Sequence, residues 1–340
     1  MTARKFEKRR VGQTALEVTT LGFGAATIAG SYTPVSAEQA RTTVAHALDS
    51  GIGYVDTAPH YGFGRSEHFV GDVLRERKGE AVLSTKVGRV MKPVRGPYEH
   101  GTEFVDPFPF QRIFDYSYDG IIRSFEDSLQ RLGMNSVDIV YVHDLGAGTH
   151  SAEGNKPYWA QFTTGGGYRA LQELRASGAV KAIGLGVNEW QVLMDAFELG
   201  DWDVFLLAGR YTLLEQTSLE PFLSTCVKRG TSVVVGGPFN SGILAGGSTF
   251  NYAKAPDEIV AKVKSLAAVC DEFGVPLAAA ALQFPLTHPA VCNVVAGPRS
   301  PLEIDGILDW WDVKIPGELW TTLAAKGLLA PGTPIPGGTA

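Results

Sequence analysis

Eight short β-branched runs, each followed by a longer polar or amphipathic stretch, constrain this chain more than any other feature. The runs cover residues 20–23, 54–57, 81–85, 137–142, 180–187, 204–207, 231–235 and 291–295, with helical patterns between them over 36–50, 65–77, 118–132, 168–177 and 189–199. Apolar runs that do not alternate with polar residues belong to strands covered on both faces, which is the signature of a parallel sheet under helices. Eight such units predict an α/β fold, a (β/α)8 TIM barrel, and residues 1–340 read as a single barrel domain. Residues 10–18, with Gly12 to Thr14 between two short extended pieces, read as an N-terminal β-hairpin that plugs the barrel floor.

Local signals agree with this period. Ser36 and Gln39 have capping-box spacing at a helix start, and Gly51, Gly133, Gly178, Gly200 and Gly230 stand where helices should stop. Two connections, 88–117 and 144–167, are longer than ordinary βα loops and rich in aromatics, including Phe104, Phe108, Phe110, Tyr116, Tyr158 and Trp159. Both leave the C-terminal ends of strands, where a barrel keeps its chemistry.

Composition narrows the classes. With 44% hydrophobic residues, 19% charged and a net charge of −6, the chain reads as globular, with no basic excess to point to nucleic acid. Cys226, Cys270 and Cys292 are too scattered for a disulfide framework or a zinc site, so a cytoplasmic location is expected. The first ten residues lack the apolar core of an export signal, and the apolar stretch 275–286 is short for a membrane span and reads as a buried helix. The seven histidines form no His-x-His near a strand end, so no metal site is expected.

Four titratable residues converge on one rim. Asp56 ends the second strand, Tyr61 follows in its loop, Lys86 ends the third strand and His143 the fourth. Singly each has a plain structural role; jointly they make a proton-transfer device. A free phenol, with a pKa of about 10, is a poor acid or base near neutrality. An ammonium about 4 Å away favours phenolate by up to ~4 kcal/mol at an effective dielectric of 20. Asp56 would keep Lys86 charged against burial, and His143 would orient a substrate oxygen.

The motifs Asp56-Thr57-Ala58-Pro59-His60-Tyr61-Gly62 with Ser66-Glu67, Ser84-Thr85-Lys86 and Val140-Tyr141-Val142-His143 resemble the aldo-keto reductases over nearly the whole chain. The resemblance implies a nicotinamide cofactor, NAD or NADP, with hydride moving between it and a carbon while Tyr61 exchanges the proton, and Asp56, Tyr61, Lys86 and His143 as a catalytic tetrad. It carries Asn188 over as a contact to the nicotinamide amide. Pro238, Phe239, Asn240, Ser241, Gly242 and Leu244 become the pyrophosphate loop, and Gly297, Arg299, Ser300 and Glu303 the adenosine end. Gly22-Phe23-Gly24 begins a dinucleotide fingerprint but lacks its third glycine and its acid. Against the family pattern, Ala208 replaces a glutamine, Gly236 the aromatic that stacks on nicotinamide, and Val187 a serine; Tyr211 is a candidate substitute. Arg299 suits a 2′-phosphate, whereas a carboxylate at Glu303 repels one and suits a free ribose diol, which favours NAD.

Within that family, residues 114–120, the pair His143-Asp144 and residues 206–212 resemble the aldose 1-dehydrogenases, a branch that takes in L-fucose, D-threo-aldose and L-galactose dehydrogenases and similar pyridoxal 4-dehydrogenases. The resemblance implies a small-molecule substrate, a cyclic hemiacetal such as L-fucose or a D-threo-aldose, oxidised at its hydroxyl-bearing ring carbon to a lactone. Pyridoxal going to 4-pyridoxolactone, and general aldehyde or ketone reduction, are the alternatives. The intact tetrad argues against a non-enzymatic nicotinamide-sensing regulatory subunit on the same fold.

Overall fold

A computed structural model describes residues 4–97 and 99–339, so the N-terminal reading at 1–3 and position 98 of the first long connection lie outside the described residues. Eight parallel strands close into a barrel: β1 Leu21–Gly24, β2 Tyr54–Asp56, β3 Val82–Val87, β4 Ile139–His143, β5 Ala182–Val187, β6 Val204–Ala208, β7 Ser232–Gly236 and β8 Val291–Ala296. Each strand pairs with its successor, and β8 returns to β1 in the register Val295↔Gly22.

Most strands reach further toward their C-terminal ends than the apolar runs do: β3 runs through Lys86 to Val87, and β6 and β7 include Ala208 and Gly236. Ladder hydrogen bonds use the backbone alone, so a strand continues through residues whose side chains carry no strand signal. Period two sorts the side chains. Ile139 and Tyr141 point into the barrel with Tyr54, Leu206 and Val234, while Val140 and Val142 face the surrounding helices. Gly22 and Gly24 lie in β1 itself, and a side chain at Gly22 would meet Asn293 and the Tyr54 ring at 2.7 Å.

The hairpin forms, with Lys8–Arg10 antiparallel to Glu17–Thr19. Its Val11 and Val18 are fully buried in the interior cluster, where each contributes about 1.5–3 kcal/mol and closes the floor. The helix predicted over 118–132 is observed as Tyr118–Leu132, capped by Ser117 and ended by Gly133. Only half of the Ser36 capping box forms: the hydroxyl accepts from the Gln39 N–H, but the Gln39 amide donates instead to the Arg299 carbonyl at 2.9 Å.

The stretch 275–286 becomes a buried helix, Leu277–Gln283, followed by a 3-10 turn, Phe284–Thr287. No single helix among the described residues is long and apolar enough to cross a membrane. Both long connections contain secondary structure. The first is a ribbon of Arg89–Pro93 paired with Phe110–Phe114, and the second holds the helices Ala147–His150 and Ala152–Phe162.

Candidate active site

Inward-facing residues of β2, β3 and β4 stack in two levels. The lower level is a hydroxyl triad: Tyr54 Oη is 2.9 Å from Ser84 Oγ and 3.1 Å from Tyr141 Oη. Two residues further along each strand stand Asp56, Lys86 and His143, and the register staggers them by pairing Asp56 with Ser84 and Lys86 with Tyr141. Ser84 ties the levels together by donating to Asp56 Oδ1 at 2.7 Å.

Lys86 Nζ donates to Asp56 Oδ2 at 2.6 Å and to the Thr57 carbonyl at 3.0 Å, and both side chains are buried. Burial pushes the Lys86 ammonium below its usual range, and Asp56 opposes that shift. Tyr61 opens a short turn, Tyr61–Gly64, in which Gly62 has φ +60 and a Cβ would meet the Ala29 carbonyl at 2.9 Å. Only glycine fits there. The turn lays the Tyr61 ring under Lys86 Nζ, 4.6 Å from the ring centre, and edge-on to His143 at 5.8 Å.

Burial is the largest influence on the Tyr61 phenol and raises it well above its ordinary value, with Asp56 and Asp144 adding to the rise and Arg89 opposing it. These surroundings favour the protonated phenol. His143 is held neutral, well below its usual value, first by burial and then by Arg89 and Lys86. Among the described residues neither its Nδ1 nor that of His60, whose ring lies 5.9 Å away, has a hydrogen-bond partner.

Ser66-Glu67 is structural. The Ser66 hydroxyl donates to the Ala25 carbonyl at 2.8 Å, and the fully buried Glu67 accepts from Thr85 at 2.7 Å and pairs with Arg131 at 2.5 Å. These contacts clamp the helix Arg65–Leu74, and so the tyrosine turn before it, against β3 and the helix Tyr118–Leu132.

On the far side of the mouth the two departures at β6 and β7 are register partners, Ala208↔Gly236. With Gly209 and Gly237 beyond them they make a shelf without large side chains; a Cβ on Gly237 would meet nothing nearer than 3.9 Å. A flat ring fits against such a shelf. Asn188 lines the same recess with Asn240, Ser241, Asn251 and Tyr252. Tyr211 is not the substitute aromatic: it is fully buried against Phe284 and His288. Tyr252, at the tip of the hairpin Thr249–Phe250/Ala253–Lys254, is 60% exposed, yet its phenol end reaches Asn188 and influences Tyr61.

The loop after β7 divides by burial. Pro238, Asn240 and Leu244 are buried, and Phe239 packs on Trp310. Asn240 is committed to the loop, accepting from Thr212 at 2.6 Å and donating to Glu215 at 3.0 Å. Ser241 is exposed and Gly242 partly so; the Ser241 hydroxyl accepts the Tyr252 N–H. After β8, Gly297 is exposed and Ser300 caps the helix Pro301–Trp311. Arg299 is held by Glu303 through its backbone N–H at 2.8 Å and its Nε at 3.2 Å, and reaches Thr33 at 3.1 Å.

Sequence reasoning passed over Arg89, Tyr252 and the Arg210–Asn251 hydrogen bond of 2.9 Å that anchors the Tyr252 hairpin to the loop after β6. Arg89, three residues beyond Lys86, offered the signal of a cation just past a strand end; Tyr252 offered none. Among the described residues no group of three or more metal-ligating side chains is placed to hold a metal ion.

The model of the aldo/keto reductase family matches residues 20–327. A pyridoxal 4-dehydrogenase of Microbacterium luteolum is 49% identical over 97% of this chain and 100% of its own length. A D-threo-aldose 1-dehydrogenase of a Pseudomonas species is 35% identical over 92% and 95%. Among solved structures, an aldo-keto reductase of Bacillus halodurans in its holo form superposes with a TM-score of 0.72, covering 96% of this chain and 97% of its own, at 24% identity, a likeness of fold. The chain therefore belongs to the aldo/keto reductase family, oxidoreductases that act on CH–OH or carbonyl groups with a nicotinamide cofactor.

Proposed function

We propose that this protein oxidises the cyclic hemiacetal of pyridoxal to its lactone with NAD, and that Tyr61 takes the hydroxyl proton. The observation that carries the chemistry is the Asp56–Lys86 ion pair against the face of the Tyr61 ring with neutral His143 at its edge. When bound, the oxidised nicotinamide supplies the hydride acceptor and a positive ring charge at the mouth. The chain's part is to hold the substrate hydroxyl between Tyr61 Oη and His143 and to receive its proton on the phenolate. The carbon–hydrogen pair leaves as hydride, the exocyclic oxygen becomes a carbonyl, and the ring oxygen stays bound, so two electrons pass to the cofactor and no aldehyde is released. Neutral His143 suits this role, because a ring N–H orients the oxygen without adding a second acid.

Pyridoxal is preferred to an aldose on two grounds. The relative that bears its name shares 49% of residues across essentially the whole length, against 35% for the aldose enzyme. The mouth is also aromatic, with Phe104 5.5 Å from His60 and 6.3 Å from Tyr61, which suits a flat ring. Oxidation of an aldose is the second reading, favoured by the Asp144 carboxylate 3.5 Å from His143 Nε2, an acceptor for a sugar hydroxyl. NAD is preferred because the Arg299 charge is already met by Glu303, whose carboxylate would oppose a 2′-phosphate.

Purified protein given NAD+ or NADP+ with pyridoxal, L-fucose, D-arabinose and L-galactose tests the reading, following reduced nicotinamide and identifying the product by mass. Lactone from pyridoxal with NAD+ is expected. Reduction of simple aldehydes with no oxidation of any hemiacetal would overturn it.

A further inference from the structure

Arg89 leaves β3 three residues past Lys86 and begins a ribbon strand whose register partner is Phe114. The residue before it, Gly88, has φ +90, and a Cβ there would meet the Tyr116 ring at 2.5 Å, so the chain turns sharply as it leaves the barrel. That turn folds the Arg89 side chain back into the mouth, where it is 4% exposed and lies 5.0 Å from the centre of the Phe114 ring. Its Nη2 donates to Asp144 Oδ2, and its Nε–H is buried without a hydrogen-bond partner among the described residues.

Asp144 is shaped to meet it. The residue takes φ +51, a left-handed conformation that aspartate tolerates better than most residues, and Tyr116 Oη holds the same turn by donating to the His143 carbonyl at 2.9 Å. The carboxylate oxygen that accepts from Arg89 lies 3.5 Å from His143 Nε2. The guanidinium is thus one layer beyond the atom that orients the reacting oxygen. Burial first, and then the cations Arg89, Arg112 and Lys86, hold the neighbouring His60 well below its usual pKa.

Burying a second ion pair beside Asp56–Lys86 is costly in desolvation and adds little stability of its own. A site that must recognise a charged atom has a use for it. Resting on the reading that pyridoxal is the substrate, we propose that Arg89 is the specificity-determining residue of the reaction, receiving the ionised phenol oxygen on the ring carbon next to the one that bears the reacting carbon. That oxygen sits within hydrogen-bond distance of the reacting oxygen, so a substrate bound to His143 presents it toward the Arg89–Asp144 pair. A guanidinium has several donors in a fixed fork, so one edge stays on Asp144 while another takes the oxyanion. Asp144 sets the plane of the fork, and Phe114 backs it.

The test compares wild type, Arg89→Met and Arg89→Lys on pyridoxal and on 3-deoxypyridoxal, the same hemiacetal without the phenol oxygen, at saturating NAD+. The readout is the ratio of kcat/KM for the two substrates in each protein, which is independent of the fraction folded. Wild type is expected to prefer pyridoxal by about ten- to a hundredfold, the size of a charge-assisted hydrogen bond. Arg89→Met should bring the ratio near one, and Arg89→Lys should restore part of it. Equal losses on both substrates in Arg89→Met would reduce Arg89 to a support for Asp144 and overturn the proposal. So would a wild type that oxidises both substrates equally, although pyridoxal oxidation itself would stand. A wild type that oxidises neither removes the substrate reading and this proposal with it.

Discussion

Lys86 Nζ stands 4.6 Å from the centre of the Tyr61 ring while its hydrogen bonds go to Asp56 and the Thr57 carbonyl. The ammonium faces the phenol ring from a position fixed by other partners. Replacing Tyr61 by Phe keeps that arrangement and removes only the proton carrier. Turnover should fall by about a hundredfold or more. NAD+ affinity, read by fluorescence titration, should stay unchanged, since the β7 and β8 loops are untouched. Near-normal turnover in Tyr61→Phe would remove the tyrosine from the chemistry.

The oxidation rate should climb with pH. Burial raises the Tyr61 phenol well above its ordinary value, so its phenolate is scarce at neutrality and increases by about tenfold per pH unit below that value. In Lys86→Met the nearby cation is lost, and the whole profile should move to higher pH with activity lower throughout. A wild-type rate that is flat across the neutral range, with chemistry rate-limiting, would contradict this.

Stability should fall on the acid side of neutrality. His60, His143 and His288 are held below their usual pKa, chiefly by burial, with His288 pushed down to about 4. Their folded values lie below the unfolded value of about 6.5, so the unfolded chain takes up protons first as pH drops. The stabilisation is complete above about pH 6.5 and is lost as pH falls toward the folded values, at about 1 kcal/mol per pH unit for each histidine. Urea midpoints measured at descending pH check this; a midpoint that does not move would refute it.

Glu67 gives a stability test away from the chemistry. It is fully buried between Thr85 and Arg131. Glu67→Gln leaves Arg131 without its counter-charge and should cost about 3 kcal/mol, the scale of a broken buried pair. The pH profile of the enzyme that remains folded should be that of wild type, because Asp56, Lys86 and His143 keep their own bonds.

On the proposed reading, the choice of cofactor hangs on Glu303. Glu303→Gln removes the carboxylate paired with Arg299 and frees the guanidinium for a 2′-phosphate. The preference for NAD+ over NADP+, measured as kcat/KM, should shrink by about tenfold, the worth of a charge-assisted hydrogen bond. An unchanged ratio would place the selectivity elsewhere.

The barrel, the floor hairpin and the rim position of Asp56, Tyr61, Lys86 and His143 were legible from residue order alone. Period two and the C-terminal ends of parallel strands dictate where such side chains point, so local patterns sufficed. The helix over 118–132 was equally local, with its cap and its terminal glycine adjacent in the chain. Ala208 and Gly236 are different: each reads as a missing residue, and only the β6–β7 register makes them neighbours on one bare shelf. Tyr211 reads in the sequence as a candidate substitute aromatic, but burial against Phe284 and His288 decides otherwise.

The placing of Asp56, Lys86 and His143 therefore belongs to what the chain determines by itself, since strand order and pleat are enough to bring them to one rim. What surrounds Tyr61 was settled in three dimensions. The positions of Arg89, Asp144 and Tyr252 about its ring, and the depth of its burial, depend on a ribbon, a left-handed turn at Asp144 and a hairpin arriving from after β7. Charge and desolvation act through space, so the protonation of that phenol follows from tertiary neighbours that sequence distance conceals.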